Sequence, residues 1–340
     1  MNRPVRRILV VELLGGFGDV LLVLPAVHAL ARSHPGAAVT VLTFTPGDAL
    51  LRSDPHIAQV VATDDHATGA PRRAVAAELA RVPYDLVVTT TTYDGIGDLC
   101  AAAAPQAVTN LWRNPPADER VDRRFLWLLA ADGVIAPTYA GLPLVLYLTR
   151  EERDAGRADL AALLGPAAGP PVVLVPGSGM PVKEWPAERW AELAADAGRA
   201  GRPALLAAAP GAPPVPGAEP LPPGNLRDLA ARLAAVGDRG GVVVGGDTGP
   251  VRLATAVGTR AVGLFGPTLA ARYGPDPALS LTLQGLPGCE VRRPTAITEQ
   301  ECWWSARCPL TGDAPACMAD LAVATVRAAA DLPDPQHPVM

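Results

Sequence analysis

Lysine is nearly absent from this chain: Lys183 is the only one in 340 residues, although lysine and arginine together number 29. Aspartate and glutamate number 34, giving a net charge of -5 and no basic field for an extended polyanion, so nucleic acid is excluded as a partner. Charged residues are also few, at 19% against 49% hydrophobic, which excludes a disordered acidic chain and points to a folded enzyme. Long apolar runs are missing. The N-terminal stretch from Ile8 to Leu14 is broken by Glu12 and fits neither a signal peptide nor a membrane span, so a cytoplasmic location is expected. Arg3, Arg6 and Arg7 leave peripheral contact with an anionic membrane open beside plain solvation. Three chemical signatures are missing as well: the phosphate loop G-x-x-x-x-G-K-[ST], the metal motif D-x-D, and any C-x₂-C knuckle. Neither a cofactor nor a metal is expected.

What is present is skewed towards Ala, Arg, Gly and Pro, with 37 prolines, as GC-rich coding produces without structural demand. Loss of almost every other lysine makes the survival of Lys183 informative, against the plainer reading of a solvated residue at a helix start. Five cysteines suit a reducing compartment. Cys100 reads as core. Cys289, Cys302, Cys308 and Cys317 are separated by gaps of 12, 5 and 8 residues, which leaves zinc, a disulfide and reduced packing thiols as readings, with packing favoured.

The hydrophobic pattern alternates strand and helix twice. "RRILVVE" reads as a buried strand that runs into Gly15, Gly16 and Gly18 and then a helix, "DVLLVLPAVHALARS". "AVTVLTF", the end of "PHIAQVVAT", and "YDLVVTTTT" follow as further strands. A second series opens with "PPVVLVPGSG" and continues through "RPALLAAAPG", "VVVGGDTG" and "RAVGLFGPT", with helices between. Such alternation predicts an α/β chain of two Rossmann-like, doubly wound domains with a site in the cleft between them. The first should span residues 1–160 and the second 161–330, joined by the segment from Thr149 to Pro171, with the last helix free to pack back on the first domain. "PGAPPVPGAEPLPPG" is read as loop, and residues 331–340 as a frayed tail.

Each glycine turn ahead of a helix offers unpaired N–H groups and the positive end of a dipole. The first turn is a poor dinucleotide site, because Gly16-Phe17-Gly18 is followed by Asp19, whose charge opposes a diphosphate. Asp19 reads either as a helix cap or as a general base, kept ionised by the helix N-terminus. In the second series, Thr248 and Gly249 open a helix with Asp247 before them and Pro250 suited to its first turn. "PGSGMPVKEWP" brings Ser178 and Lys183 from another strand end. Were the two strands adjacent, a hydroxyl, amides and an ammonium would surround one anion. A base in one domain and a diphosphate clamp in the other suit transfer of a group from a nucleotide-diphosphate donor to a hydroxyl.

"ILVVELLGGFGDVLLVLPAVHAL", "VPGSGMPVKEWPAERWAEL" and "GGDTGPVRLATAVGTRAVGLFGPT" resemble the three signature blocks of glycosyltransferase family 9, the ADP-heptose heptosyltransferases of lipopolysaccharide core assembly. The resemblance implies a GT-B fold and inverting, metal-independent transfer from ADP-heptose. It makes Asp19 the base and Lys183 the second catalytic residue, and assigns donor contacts to Gly16, Gly18, Ser178, Gly179, Lys183, Asp247, Thr248, Gly249 and Arg252. Arg252 stands where the family has histidine, and Gly179 where it often has a larger polar residue. The cysteine stretch ending "CMADL" follows the family too, and Trp303 and Trp304 there either line the cleft or simply pack.

The acceptor is less legible. Asp94 and Asp98 in "TYDGIGDLC" are candidates, as are Arg120 and Arg123 for an acidic sugar. A source without lipopolysaccharide would turn the same chemistry on a small molecule such as an aminocyclitol or a nucleoside, and the weak basic character leans that way. A nucleotide-sugar epimerase and a non-catalytic binding protein are the rivals.

Overall fold

The structure is a computed structural model that describes residues 4–165, 168–209, 211–312 and 314–333. Residues 334–340 of the expected frayed tail lie outside it. The chain divides into two compact units: unit 1 is Met1–Pro115 with Val121–Tyr147, and unit 2 is Pro116–Arg120 with Leu148–Met340.

Unit 1 is built on five parallel strands: β1 (Arg7–Glu12), β2 (Ala38–Phe44), β3 (Gln59–Thr63), β4 (Leu86–Thr89) and β5 (Gln106–Val108). Their order, β3-β2-β1-β4-β5, reverses direction between β1 and β4. The helices are α1 (Phe17–Ser33), α2 (Asp48–Leu51), α3 (Ala70–Arg81), α4 (Ile96–Ala103) and α5 (Val121–Ala131). β1 is apolar on both faces because helices cover both, and Ile8 to Val11 are fully buried. α1 is buried continuously from Val20 to Leu30, so it reads as apolar all round, and it packs against α5.

Unit 2 opens with α6 (Arg150–Leu164) and continues β6 (Val172–Val175), α7 (Ala187–Arg199), β7 (Ala204–Leu206), β8 (Glu219–Pro220), α8 (Leu226–Asp238), β9 (Val242–Gly246) and α9 (Gly249–Ala256). β10 (Arg260–Phe265), α10 (Ala270–Tyr273), β11 (Ser280–Gln284), α11 (Glu301–Ser305), α12 (Ala316–Ala319) and α13 (Val323–Ala329) complete it. The strands form one parallel sheet, β11-β10-β9-β6-β7-β8, in which β6 lies directly beside β9. Trp185 and Trp190 meet edge to face at 4.9 Å in its core, and Trp185 Nε1 donates to Leu321 O at 2.9 Å, tying the last helices to the loop after β6.

Three expectations need correction. The segment from Thr149 to Pro171 is no simple connection, because most of it is α6, and a boundary at residue 160 would cut that helix. Its start is fixed by a capping box between Thr149 and Glu152, and it lies on α8 so closely that a Cβ at Gly156 would fall 2.3 Å from Ala231 O. The last helix, α13, packs on α7 within unit 2. The Pro-rich stretch contains β8, a two-residue edge strand paired with β7, where proline costs no ladder donor.

Candidate active site

In unit 1 the site-forming turn follows β1, where the order of the sheet reverses, the usual place for a ligand in an open α/β sheet. Gly15 has φ +108°, a conformation only glycine adopts cheaply, and Gly16 is the N-cap of α1 with no side-chain cap. Asp19 lies in the first turn, and its N–H donates to Gly16 O at 2.9 Å. Asp19 is therefore not the cap residue. A Cβ at Gly16 would stand 3.0 Å from Asp19 Oδ2, so glycine there leaves the carboxylate its room. Gly18 occupies the turn of helix between them.

Beneath this turn is Glu12, which the sequence reading noted only as an interruption of an apolar run. It is 1% exposed and accepts from Leu14 N at 2.9 Å and Thr43 Oγ1 at 3.1 Å. Burial, with the Asp19 charge added, pushes its carboxyl up to about 8. At neutral pH it is a neutral acid beside a second carboxylate.

Over the same turn a cavity of about 400 Å³ is lined by Leu14, Gly15, Phe44, His66, Tyr93 and Asp94 among others, with no lysine or arginine among the described residues. Phe44 and His66 stack with centroids 4.0 Å apart, and Tyr93 Oη donates to Leu13 O at 2.6 Å while its ring is 43% exposed. Asp94 adopts φ +58°, held by Arg72 Nη1, which donates to Asp94 O at 2.9 Å and Gly95 O at 2.6 Å. Asp98 is exposed in the first turn of α4 and does not line the cavity. The two arginines proposed with it are not gathered. Arg120 belongs to unit 2, where it pairs with Asp276 at 3.6 Å, and Arg123 donates to Gly141 O at 2.6 Å in unit 1.

In unit 2 the parallel pairing of β6 with β9, Val175 opposite Gly245, sets the loops that follow them side by side. Lys183 Nζ donates to Asp247 O at 2.8 Å and lies 3.4 Å from Asp247 Oδ2, with the Trp303 ring centroid at 5.7 Å. The approach is tight, since a Cβ at Gly246 would be 3.1 Å from Lys183 O. Ser178 Oγ accepts from Met180 N at 3.1 Å, and Gly179 faces open space. Thr248 is the N-cap of α9 and Gly249 its first residue, but no side chain caps the helix. Thr248 Oγ1 instead donates to Gly246 O at 3.3 Å, so its hydroxyl proton must turn to meet an anion.

Arg252 departs from its expected role. It is 6% exposed, donates to Tyr273 O at 2.5 Å and stands 4.0 Å from Asp247 Oδ1, so it braces Asp247 and α10. Lys183 is thus the cation at the loop surface, next to an uncapped helix start. Thr268, one turn beyond β10, was missed: its Oγ1 is buried without a partner. Trp303 is buried beside Lys183, whereas Trp304 is 72% exposed. No helix of the described residues is long and apolar enough to cross a membrane.

Residues 144–280 match the family model "Glycosyltransferase family 9 (heptosyltransferase)", a range that holds Ser178, Lys183 and Asp247 to Arg252 but not Asp19. No curated protein matches the sequence. Among solved structures, a family 9 glycosyl transferase of Veillonella parvula is 20% identical, covers 97% of this chain and 98% of its own, and superposes with a TM-score of 0.74. The ADP-heptose LPS heptosyltransferase II of E. coli is 16% identical over 94% of this chain and 96% of its own, at TM-score 0.66. E. coli heptosyltransferase WaaC with ADP is 20% identical over 86% and 98%, at 0.59. The two parallel sheets of five and six strands are the GT-B architecture of these structures.

Proposed function

We propose, for a chain that carries a glycosyltransferase family 9 domain and is a glycosyltransferase, that it moves a sugar from a nucleotide-diphosphate donor, ADP-heptose by family, onto a hydroxyl of a small neutral or cationic acceptor. The observation that carries the donor side is the ammonium of Lys183, 2.8 Å from Asp247 O, at the open N-terminus of α9. N–H groups of that helix start and Lys183 meet the diphosphate, and Thr248 adds a hydroxyl after turning. Asp19 takes the proton of the acceptor hydroxyl. The freed oxygen attacks the anomeric carbon from the face opposite the diphosphate, the carbon–oxygen bond to phosphate breaks, and the configuration inverts. The electron pair leaves on the diphosphate, where Lys183 offsets its charge, so the step asks for no metal ion.

The acceptor reading rests on the cavity over β1. A carboxylated or phosphorylated sugar calls for a guanidinium or ammonium lining, and this cavity supplies none. Exposed aromatic faces and the Asp94 carboxylate suit a polyhydroxylated ring that is neutral or cationic, such as an aminocyclitol or nucleoside. That favours small-molecule glycosylation over the alternative, a lipopolysaccharide inner-core acceptor. Five free cysteines support a reducing, cytoplasmic setting.

The test is a thermal-shift screen of ADP, UDP and GDP and their sugars, followed by mass spectrometry of reactions with neutral, cationic and acidic acceptors. ADP should raise the melting temperature most. A silent response to ADP removes the donor assignment, and a product only with acidic acceptors removes the acceptor assignment.

A further inference from the structure

Four of the five cysteines, Cys289, Cys302, Cys308 and Cys317, line a single small cavity in unit 2 of about 10 Å³, the size one water or ion fills. All are free thiols. Their sequence spacing shows no knuckle, and only the path of the chain from β11 to α12 brings them around one space.

Three features of that space go together. Arg292 lines it, is 8% exposed, and donates to the carbonyls of Gly266, Pro287, Gly285 and Leu286 at 2.9–3.0 Å. Among the described residues no carboxylate pairs with it, so a buried cation stands beside four thiols without a counter-charge. The backbone N–H groups of Leu310, Thr311 and Ala316 and the Thr311 hydroxyl face the Cys308 sulfur. Finally, among the described residues the stretch from Gly285 to Pro315 contains only one turn of 3₁₀ helix and α11, and its only buried apolar side chains are Trp303 and Cys308. A segment of that length with so little core needs another tie.

We propose that Cys289, Cys302, Cys308 and Cys317 form a structural site for one thiolate-bound divalent metal ion, zinc or iron, that staples this segment to the end of β10. Soft all-sulfur ligation selects those metals. Binding releases four thiol protons to solvent, and the resulting centre carries two net negative charges, which Arg292 partly balances. Gly266 is part of the design, because a Cβ there would stand 2.9 Å from Cys317 Sγ. Among the described residues the four sulfurs do not already form a metal-ready group, so the ion must draw them together by rotamer and loop shifts.

The competing group is His28, Asp54 and His56, whose ligand atoms do lie within 4.8 Å of one another. Its ligand atoms are largely engaged with one another and with Arg32, and only His56 Nδ1, 3.3 Å from Asp54 Oδ1, lacks a hydrogen-bond partner. Asp54 is held by His28 Nε2 at 2.7 Å and by His56 N at 2.9 Å, while Arg32 Nε donates to His56 Nε2 at 3.4 Å.

The experiment is metal analysis of the purified full-length chain, grown with zinc or iron supplied, together with its visible spectrum. About one zinc or one iron per chain is expected, with sulfur-to-iron charge-transfer bands identifying iron and a blank spectrum zinc. Cys308→Ser should cut the content at least about fivefold, while Cys100→Ser and His56→Ala retain it. Should Cys308→Ser fail to fold, cobalt titrated into chelator-treated wild type must give intense thiolate and tetrahedral bands. Less than about 0.1 metal per chain with no cobalt bands overturns the site, and so does metal that persists in Cys308→Ser.

Discussion

Replacing Lys183 separates a working ammonium from a residue that merely survived codon drift. An ammonium about 4 Å from a phosphate oxygen at an effective dielectric of about 20 is worth roughly 4 kcal/mol. Asp247 Oδ2, 3.4 Å from Nζ, already claims part of that charge, so about 3 kcal/mol is left for the departing diphosphate. Lys183→Ala should therefore slow transfer roughly 10²-fold. Lys183→Arg keeps the charge and is the sharper test. Nζ sits between Asp247 O at 2.8 Å and the Trp303 ring at 5.7 Å, and a planar guanidinium on a longer stem cannot keep both relations. A loss of at least about tenfold in kcat is expected, measured by steady-state product formation, with nucleotide-diphosphate affinity followed by calorimetry. Melting temperatures of both variants separate loss of the Asp247 tether from loss of chemistry. If Lys183→Arg transfers and binds donor as the wild type does, the leaving-group role is refuted.

Asp19→Asn should lower turnover by about 10²–10⁴ while leaving nucleotide-diphosphate affinity within about twofold, and retained turnover would remove it as the base. Tyr93→Ala should raise the acceptor KM about tenfold with donor affinity unchanged, since its ring is 43% exposed over the cavity of unit 1; an unchanged KM would place the acceptor elsewhere. Glu12 binds its proton more tightly folded, at about 8 against 4.5, so stability falls as pH rises between those values, by roughly 5 kcal/mol in all. Glu12→Gln has no such slope: urea melts should find it close to wild type near pH 5 and clearly more stable at pH 9, and parallel curves would show that Glu12 is ionised throughout. Gly156→Ala forces a Cβ to within 2.3 Å of Ala231 O and should cost about 2 kcal/mol or more, seen as a lower melting temperature.

The alternation of strand and helix was legible because the inner strands are short, mostly apolar runs, several of them leading into a glycine turn, whereas three of the four edges were not. β5, β8 and β11 are short or half-exposed, and "EP" carries no pattern at all. α6 escaped notice since "REERDAGRADLAALL" is charged on most faces and glycine-interrupted, and what holds it is tertiary. Arg227 Nη2 reaches Glu152 at 2.6 Å and Arg232 Nε reaches Asp159 at 2.6 Å, across to α8. In the site, the turn residues were readable as chemistry and their pairing as strand adjacency. Direction was not. Arg252 and Arg123 are charges in the sequence, but only packing turns the one to Tyr273 O and the other to Gly141 O. Glu12 needed the fold as well, because its proton affinity comes from burial that an isolated strand does not have.

The adjacency of β6 and β9 has a consequence for how the chain folds. Lys183 and Asp247 are 64 residues apart, with α7, β7, β8, α8 and β9 intervening, so no local segment makes the anion site. Closing that loop costs entropy which only the completed strand pair recovers. Synthesis from the N-terminus delivers the lysine long before its partner loop, and a chain halted ahead of β9 holds an ammonium with nothing to aim it. Nucleotide affinity should therefore arrive late and all at once, which makes ligand capture a clock for the final assembly of the second sheet.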